Sequence, residues 1–427
     1  MKSNTVRINV LSLASATLLV VMAGCDGDAG ADAGAARPGA GAAQTSRGDS
    51  GNSQPASDSP LAEFQTELLN LAFQAATAIP ADPHIKDRSR AQEAVVTACL
   101  ELDQPRTALK YLTRIDDWRR GVCYADLAFY LADHGDTANV QGYLNLAGQV
   151  AETATDWRRD RIRVKIARTH ALLGQADQAA HFEADVVDSE SGKVHSIRAQ
   201  ILDSEDFDLH MQAINDLAAT GNFDLMRNAL DAYAALFHRG YASAEQRSQA
   251  KARIDAASAT LPAMIRADNL FALADFAIDH GDQATALVLV NEAQRLLDAT
   301  SWSAEDAIPY RARLAKHRFL AGDAARARTD ADALRTQFDA ERESIVNIYR
   351  TETLCPLAEA YQTMKAGAAA MAVYKKAVEE GVVNPNSRPR AEDLSAVCCS
   401  MAVKGVEPDA DLWFHMRQIY EGLGHPW

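Results

Sequence analysis

Aromatic side chains supply only 7% of this 427-residue chain, and cysteine occurs six times. So few aromatics argue against a surface built to hold glycans. Apart from Cys25 the cysteines are Cys99, Cys123, Cys355, Cys398 and Cys399, odd in number and widely spread, so they form no disulfide framework. No Cys-x-x-Cys or Cys-x-x-Cys-His occurs, which argues against a thioredoxin-like redox site and against covalent haem. Cys99, Cys123, Cys355 and Cys398 lie beside apolar residues in helical patterns and read as small buried hydrophobes. Adjacent Cys398-Cys399 has the spacing of a strained ring disulfide, but in a helix the second of such a pair simply faces outward.

Strand signals are also missing: there are no period-2 runs rich in Val, Ile and Thr with hairpin turns. His-Glu-x-x-His, a phosphate-binding Gly-rich loop after a strand, and a nucleophile elbow are all absent. The expectation is therefore a non-catalytic protein without metal or cofactor. Asp and Glu (58) outnumber Lys and Arg (43), and the net charge of −15 argues against nucleic acid or an anionic lipid surface as the main partner.

What is present begins at the N-terminus. Residues 1–24 read as an export signal: Lys2 and Arg7 form a positive start, and Val10 to Met22 an apolar run too short to span a bilayer. The segment Val21-Met22-Ala23-Gly24-Cys25 resembles the lipobox of bacterial lipoproteins. That resemblance implies lipidation of Cys25 and a protein held on a bacterial membrane. Residues 25–60 are rich in Gly, Ala, Ser and Asp and cannot bury enough surface to fold, so a disordered tether is expected. As a random coil it would span roughly 30–35 Å root-mean-square.

Beyond the tether one phrase occurs twice, Asp117-Trp118-Arg119-Arg120 and Asp156-Trp157-Arg158-Arg159, with the tryptophans 39 apart (157 − 118). Gly135 and Gly174 end the following helices at the same interval (174 − 135). A phrase, its helix and its terminator recurring in register mark a repeated helical unit. Turns of one form recur at Asp133-His134-Gly135-Asp136, Asp279-His280-Gly281-Asp282, Ala321-Gly322-Asp323 and Thr220-Gly221-Asn222. Gly supplies the left-handed residue that stops one helix, and Asp or Asn caps the next. The paired Asp-His residues lie in separate repeats without a third ligand, so no metal site is expected there.

Anchored on these turns, the units resemble tetratricopeptide repeats. Leu270, Leu273, Ala274, Ala286 and Ala293 match best, followed by Tyr124, Leu127, Ala128, Leu144 and Ala147. Further matches are Leu314, Ala315, Ala327 and Ala331, and then Leu354, Ala358, Tyr361, Ala370, Tyr374 and Ala377. The resemblance implies an all-α fold, a right-handed α-α superhelix, with about seven units over 61–383. Turn spacings exceed the 34 residues of that family. The interval from Gly221 to Gly281 (60 residues) calls for an extra helix near 244–260, so irregularity is expected over 187–262. Residues 384–427 are expected to cap the open end of the stack.

In tetratricopeptide repeats, positions on the first helix of each unit line a concave groove. By turn register these fall on Phe129, Arg161, Arg168, Asp268, Phe271, Asp275, Lys316, Glu352 and Glu359. Arg161, Lys165 and Arg168 share one helix face by their i, i+4, i+7 spacing. The resemblance implies an adaptor in the bacterial envelope that binds a protein or peptide partner, with a basic patch for an acidic segment and an acidic patch farther along. A solute- or glycan-binding lipoprotein on the same scaffold is the alternative.

Overall fold

A computed structural model describes residues 57–201 and 206–427. The export segment 1–24, Cys25 and nearly all of the tether lie outside them. Nineteen α-helices follow one another among the described residues. They are α1 Glu63–Ala78, α2 Ala81–Glu101, α3 Pro105–Leu112, α4 Arg119–Asp133, α5 Val140–Thr153 and α6 Asp156–Leu172. Next come α7 Ala176–Glu183, α8 Val194–Ile201, α9 Phe207–Ala218, α10 Phe223–Arg239, α11 Ala244–Ser258, α12 Ala263–Asp279 and α13 Gln283–Asp298. The last six are α14 Ala304–Leu320, α15 Ala324–Glu341, α16 Arg350–Thr363, α17 Gly367–Val382, α18 Ser387–Lys404 and α19 Ala410–Glu421. The fold is all-α, with successive helices packed as antiparallel pairs.

Local chemistry sets the helix ends. Asn222, Ser243, Asp282, Asp323 and Asp409 each accept a backbone N–H in the first turn of α10, α11, α13, α15 and α19. Gly135, Gly174, Gly281 and Gly322 stop α4, α6, α12 and α14 in the left-handed region, with φ of 77°, 71°, 71° and 97°. Lys365 does the same after α16 at φ 56° without glycine's freedom. Asp136, expected to cap the next helix, does not, because α5 begins only at Val140. Seven residues before five of these turn positions stand Ala128, Ala167, Ala274, Ala315 and Ala358, all fully buried. A methyl at that point lets neighbouring helices approach closely.

The even-numbered helices form a chain of neighbours from α2 to α18, each packed on the next, while the odd-numbered ones lie behind them and scarcely touch one another. Helices nearer a common axis sit closer together, so the even set lines the inside. The chain of neighbours has no ends, because α18 packs on α2 and, more extensively, on α1. The described residues thus close into a ring of nine inner helices, two more than the number of units expected. Residues 384–427 cap no open end: α18 is the ninth inner helix, and α1 supplies its outer layer. The first helix can do this because its apolar face is broad, burying Leu68, Leu69, Leu71, Ala72, Phe73, Ala75 and Ala76. Polar contacts fasten the same seam. Gln65 Nε2 donates to the Ala402 carbonyl at 2.8 Å, and Arg388 and Arg417 reach Asp87 (3.3 Å) and Glu67 (3.2 Å).

Antiparallel pairing gives the ring two unlike rims. Connections from inner to outer helices carry the glycine turns. Connections from outer to inner helices carry Trp118 and Trp302, with Trp157 one residue inside α6. The chain enters at the glycine rim, where Asp58 accepts from the Arg106 amide at 2.7 Å. Gly221 belongs to the opposite, tryptophan rim, between α9 and α10. The interval from Gly221 to Gly281 therefore runs from one rim to the other. The helix at 244–258 is no insertion but the regular outer partner of α10, and the array continues through 187–262 as the pairs α8/α9 and α10/α11.

Candidate functional site

Nine inner helices spaced evenly around a circle at the usual 8–10 Å would enclose a lumen about 12–19 Å across, once about 5–6 Å of helix and side chain is subtracted all round. Several charges on the inner helices are paired with the neighbouring inner helix. Glu93 meets Arg119, Asp126 meets Lys165 at 2.5 Å, and Asp268 meets Arg313 at 2.6 Å. Asp275 meets His317 at 3.1 Å, Glu359 accepts from the Ser400 hydroxyl at 2.7 Å, and Arg90 reaches Glu392 at 3.6 Å.

Arg161 and Arg168 are different. Among the described residues neither makes an ion pair, and Arg168 Nε is buried without a hydrogen-bond partner. Their guanidinium groups lie on aromatic faces instead, Arg168 over Phe129 at 5.1 Å and Arg161 over Trp118 at 5.9 Å. Trp118 and Trp157 meet edge to face at 5.2 Å, a wedge between α4 and α6, with Arg119 and Arg158 stacked at 4.8 Å and 5.2 Å. Burial pulls the Arg168 pKa down, against the attraction of Asp126 and Asp231. Burial also lowers Lys193, just before α8, although Glu190 at 2.8 Å favours its charge. Arg161 and Arg168 make the α6 wall basic.

Asp231 on α10 shows what kind of space this is. It is exposed to solvent, yet the surrounding protein pushes its carboxyl pKa up, with Arg227, Lys193 and Arg168 pulling the other way. Exposure together with that desolvation fits a side chain facing the space that the inner helices surround. Burial likewise raises Glu352 on α16, which makes no ion pair with another described residue; Arg90 favours its charge and Asp306 opposes it. On α18, burial and the neighbouring Glu392 raise Asp393, which lies against Gly381 of α17 and lines the void there rather than the lumen. Glu352 and Glu359, the latter 3.8 Å from Lys404 Nζ, make the α16 wall acidic.

Of the expected groove residues, Phe129, Arg161, Arg168, Asp268, Asp275, Lys316, Glu352 and Glu359 lie on inner helices with part of their surface in solvent. Phe271 does not. It is 1% exposed, stacked on the His317 ring at 4.8 Å and beneath the Arg313 guanidinium at 4.7 Å, so it supports the wall rather than facing a guest. Asp268 and Asp275 are held by Arg313 and His317. Burial raises Asp268 despite its arginine, whereas His317, Lys316 and Arg313 outweigh burial and lower Asp275. Lys193, Arg227, Asp231 and Arg313 escaped the reading by turn register. The i, i+4 spacing of Arg227 and Asp231 was a usable signal, lost when Gly221 was assigned to the same rim as the other glycines.

Between α17, α18 and α19 a void of about 10 Å³ is lined by Ala377, Val378, Arg390, Leu394 and Ile419, room for about one water and no larger ligand. Among the described residues no group of His, Cys, Asp and Glu could hold a metal ion, and no helix is long and apolar enough to cross a membrane. Burial pushes the thiols of Cys99, Cys123, Cys355 and Cys398 well up and Cys399 up to about 12, which leaves them protonated and unreactive.

No family model matches the chain, and no curated protein matches it. Among solved structures it is similar to one described as a circular tandem repeat protein with novel repeat topology and enhanced subunit contact surfaces. The two are 12% identical, 84% of this chain and 94% of that one are covered, and the TM-score is 0.28. So distant a likeness carries no argument, and the ring rests on this chain's own helix contacts.

Proposed function

We propose that this protein is a membrane-tethered, non-catalytic ring scaffold of the bacterial envelope that takes an acidic segment of a partner protein into its lumen. One observation carries the reading: Arg161 and Arg168 stand on the lumenal face of α6 with no ion pair among the described residues, whereas Lys165 between them is held by Asp126. An arginine without a carboxylate partner can take one bidentately. The lipobox at Cys25 supports the tether, and the enclosed, charged lumen supports protein recognition over chemistry.

The test is a cross-linking pull-down from membranes of the native host. Wild-type chain should capture a reproducible protein, and Arg161→Glu with Arg168→Glu should lose it. Capture that is indifferent to the double reversal would sink the lumenal reading. Cys25→Ser should move the protein out of the membrane fraction; retention there would sink the tether.

A further inference from the structure

We propose that the lumen holds a single α-helix that is acidic along one face and basic along the opposite face. This rests on the lumenal reading above and adds what the guest must look like. Three observations combine. The first is where the charged walls stand in the ring. The basic wall is Arg161 and Arg168 on α6, and the acidic wall is Glu352 and Glu359 on α16. Counting inner helices, α6 is third and α16 eighth of nine, five steps one way round and four the other. Two patches that would be merely distant along an open groove therefore face each other across the ring.

The second observation is size. A lumen about 12–19 Å across admits one helix, whose diameter with side chains is about 10–12 Å, and leaves no room for two. An extended strand would lie against one wall and leave the other facing water. The inner helices α16 and α12 run 14 and 17 residues. A guest helix spanning the channel would need about 14–17 residues at about 1.5 Å each.

The third observation is the spacing of charge along the axis. Arg161 and Arg168 are seven residues apart on α6, and Glu352 and Glu359 are seven apart on α16, so each wall presents its charges along one helix face. A guest helix with Glu at i and i+7 on one face and Lys at i and i+7 on the other matches both rows together.

The experiment uses the full chain in detergent and two synthetic peptides of identical composition, about 17 residues long, with Ala, Glu and Lys only. In one, Glu and Lys occupy opposite helix faces; in the other they alternate around the helix. Fluorescence anisotropy at low salt should show the segregated peptide binding about tenfold more tightly, the worth of two partly screened ion pairs. Arg161→Glu with Arg168→Glu should cost about the same factor, as should Glu352→Lys with Glu359→Lys. The four substitutions together should restore binding, because the guest need only turn half a revolution about its own axis. Arg161→Gln with Arg168→Gln and Glu352→Gln with Glu359→Gln replace the reversals if those shift the melting curve, each then expected to weaken binding.

Equal binding of the two peptides overturns the proposal. So does a folded four-residue variant that fails to recover. If a partner is captured from membranes in an Arg161- and Arg168-dependent way while the segregated peptide does not bind, the helical guest is refuted and the lumenal scaffold survives. If neither result appears, both fall.

Discussion

Replacing Leu68 by Ala strikes the place where the two ends of the array meet. Leu68 is fully buried on α1, the helix that packs on both α2 and α18. A Leu-to-Ala change at such a site costs about 3 kcal/mol in lost transfer energy and residual cavity. In an open stack of repeats the damage would stay with near neighbours in sequence. In a closed ring the weakened seam exposes α18, more than 300 residues away along the chain (387 − 68 = 319). Native-state hydrogen exchange read by mass spectrometry distinguishes these cases. Amides of α18 that exchange through opening of the seam should speed up by about a hundredfold, since about 1.4 kcal/mol corresponds to a factor of ten. The amides of α1 and α2 should respond with them. Loss of protection confined to α1, α2 and α3, with α18 unchanged, would refute the closed ring.

Gly121 on α4 allows close packing, since a Cβ there would lie 2.8 Å from Ile162 Cδ1 and 2.9 Å from Val150 Cβ. Gly121→Ala should cost about 1–3 kcal/mol in urea unfolding, whereas Gly142→Ala, with open space around it on α5, should stabilise by about 0.5–1 kcal/mol. Lys365→Gly relieves the left-handed φ of 56° and should stabilise by about 1 kcal/mol; an unchanged melting midpoint would mean the turn carries no strain. Burial first, and nearby positive charge second, lowers His195 and His238 to about 4 from 6.5. The unfolded chain therefore takes up these protons first, so stability should fall as pH drops from about 6.5 to about 4 and level off below. Each group contributes about 2–3 kcal/mol to that fall once partial exposure is discounted. His238→Gln should reduce the slope of unfolding free energy against pH in that window by close to one proton; an unaltered slope would exclude His238 as a contributor.

The pairing of helices was legible because its causes are local. Ala128, Ala274, Ala315 and Ala358 announce close helix contact, and the glycine turns punctuate it. The doubled Asp-Trp-Arg-Arg likewise marked the wedge that Trp118 and Trp157 make. Closure was not legible, because it depends on a small rotation per repeat summed around the array, and no single residue encodes a sum. Its one local trace is α1, whose apolar residues cover more than the single stripe of Leu68, Leu71 and Ala75. Gly221 misled because glycine ends helices equally well on either rim, and that shifted the register over α8 to α11. The groove positions taken from turn register lie on inner helices with part of their surface exposed, except Phe271, which is buried beneath Arg313.

A ring with no ends has no side entrance. A guest reaches Arg161 and Arg168 only through one of the two mouths, free end first, or by waiting for the seam between α1 and α18 to part. A loop flanked by folded domains cannot thread, so its capture would be no faster than seam opening. A free tail can thread, and it can be pulled out only along the axis. Under the proposed lumenal capture, the closure would sort partners by connectivity before charge has any say, favouring tails over loops, and would make release slow for any guest that is bulky at both ends.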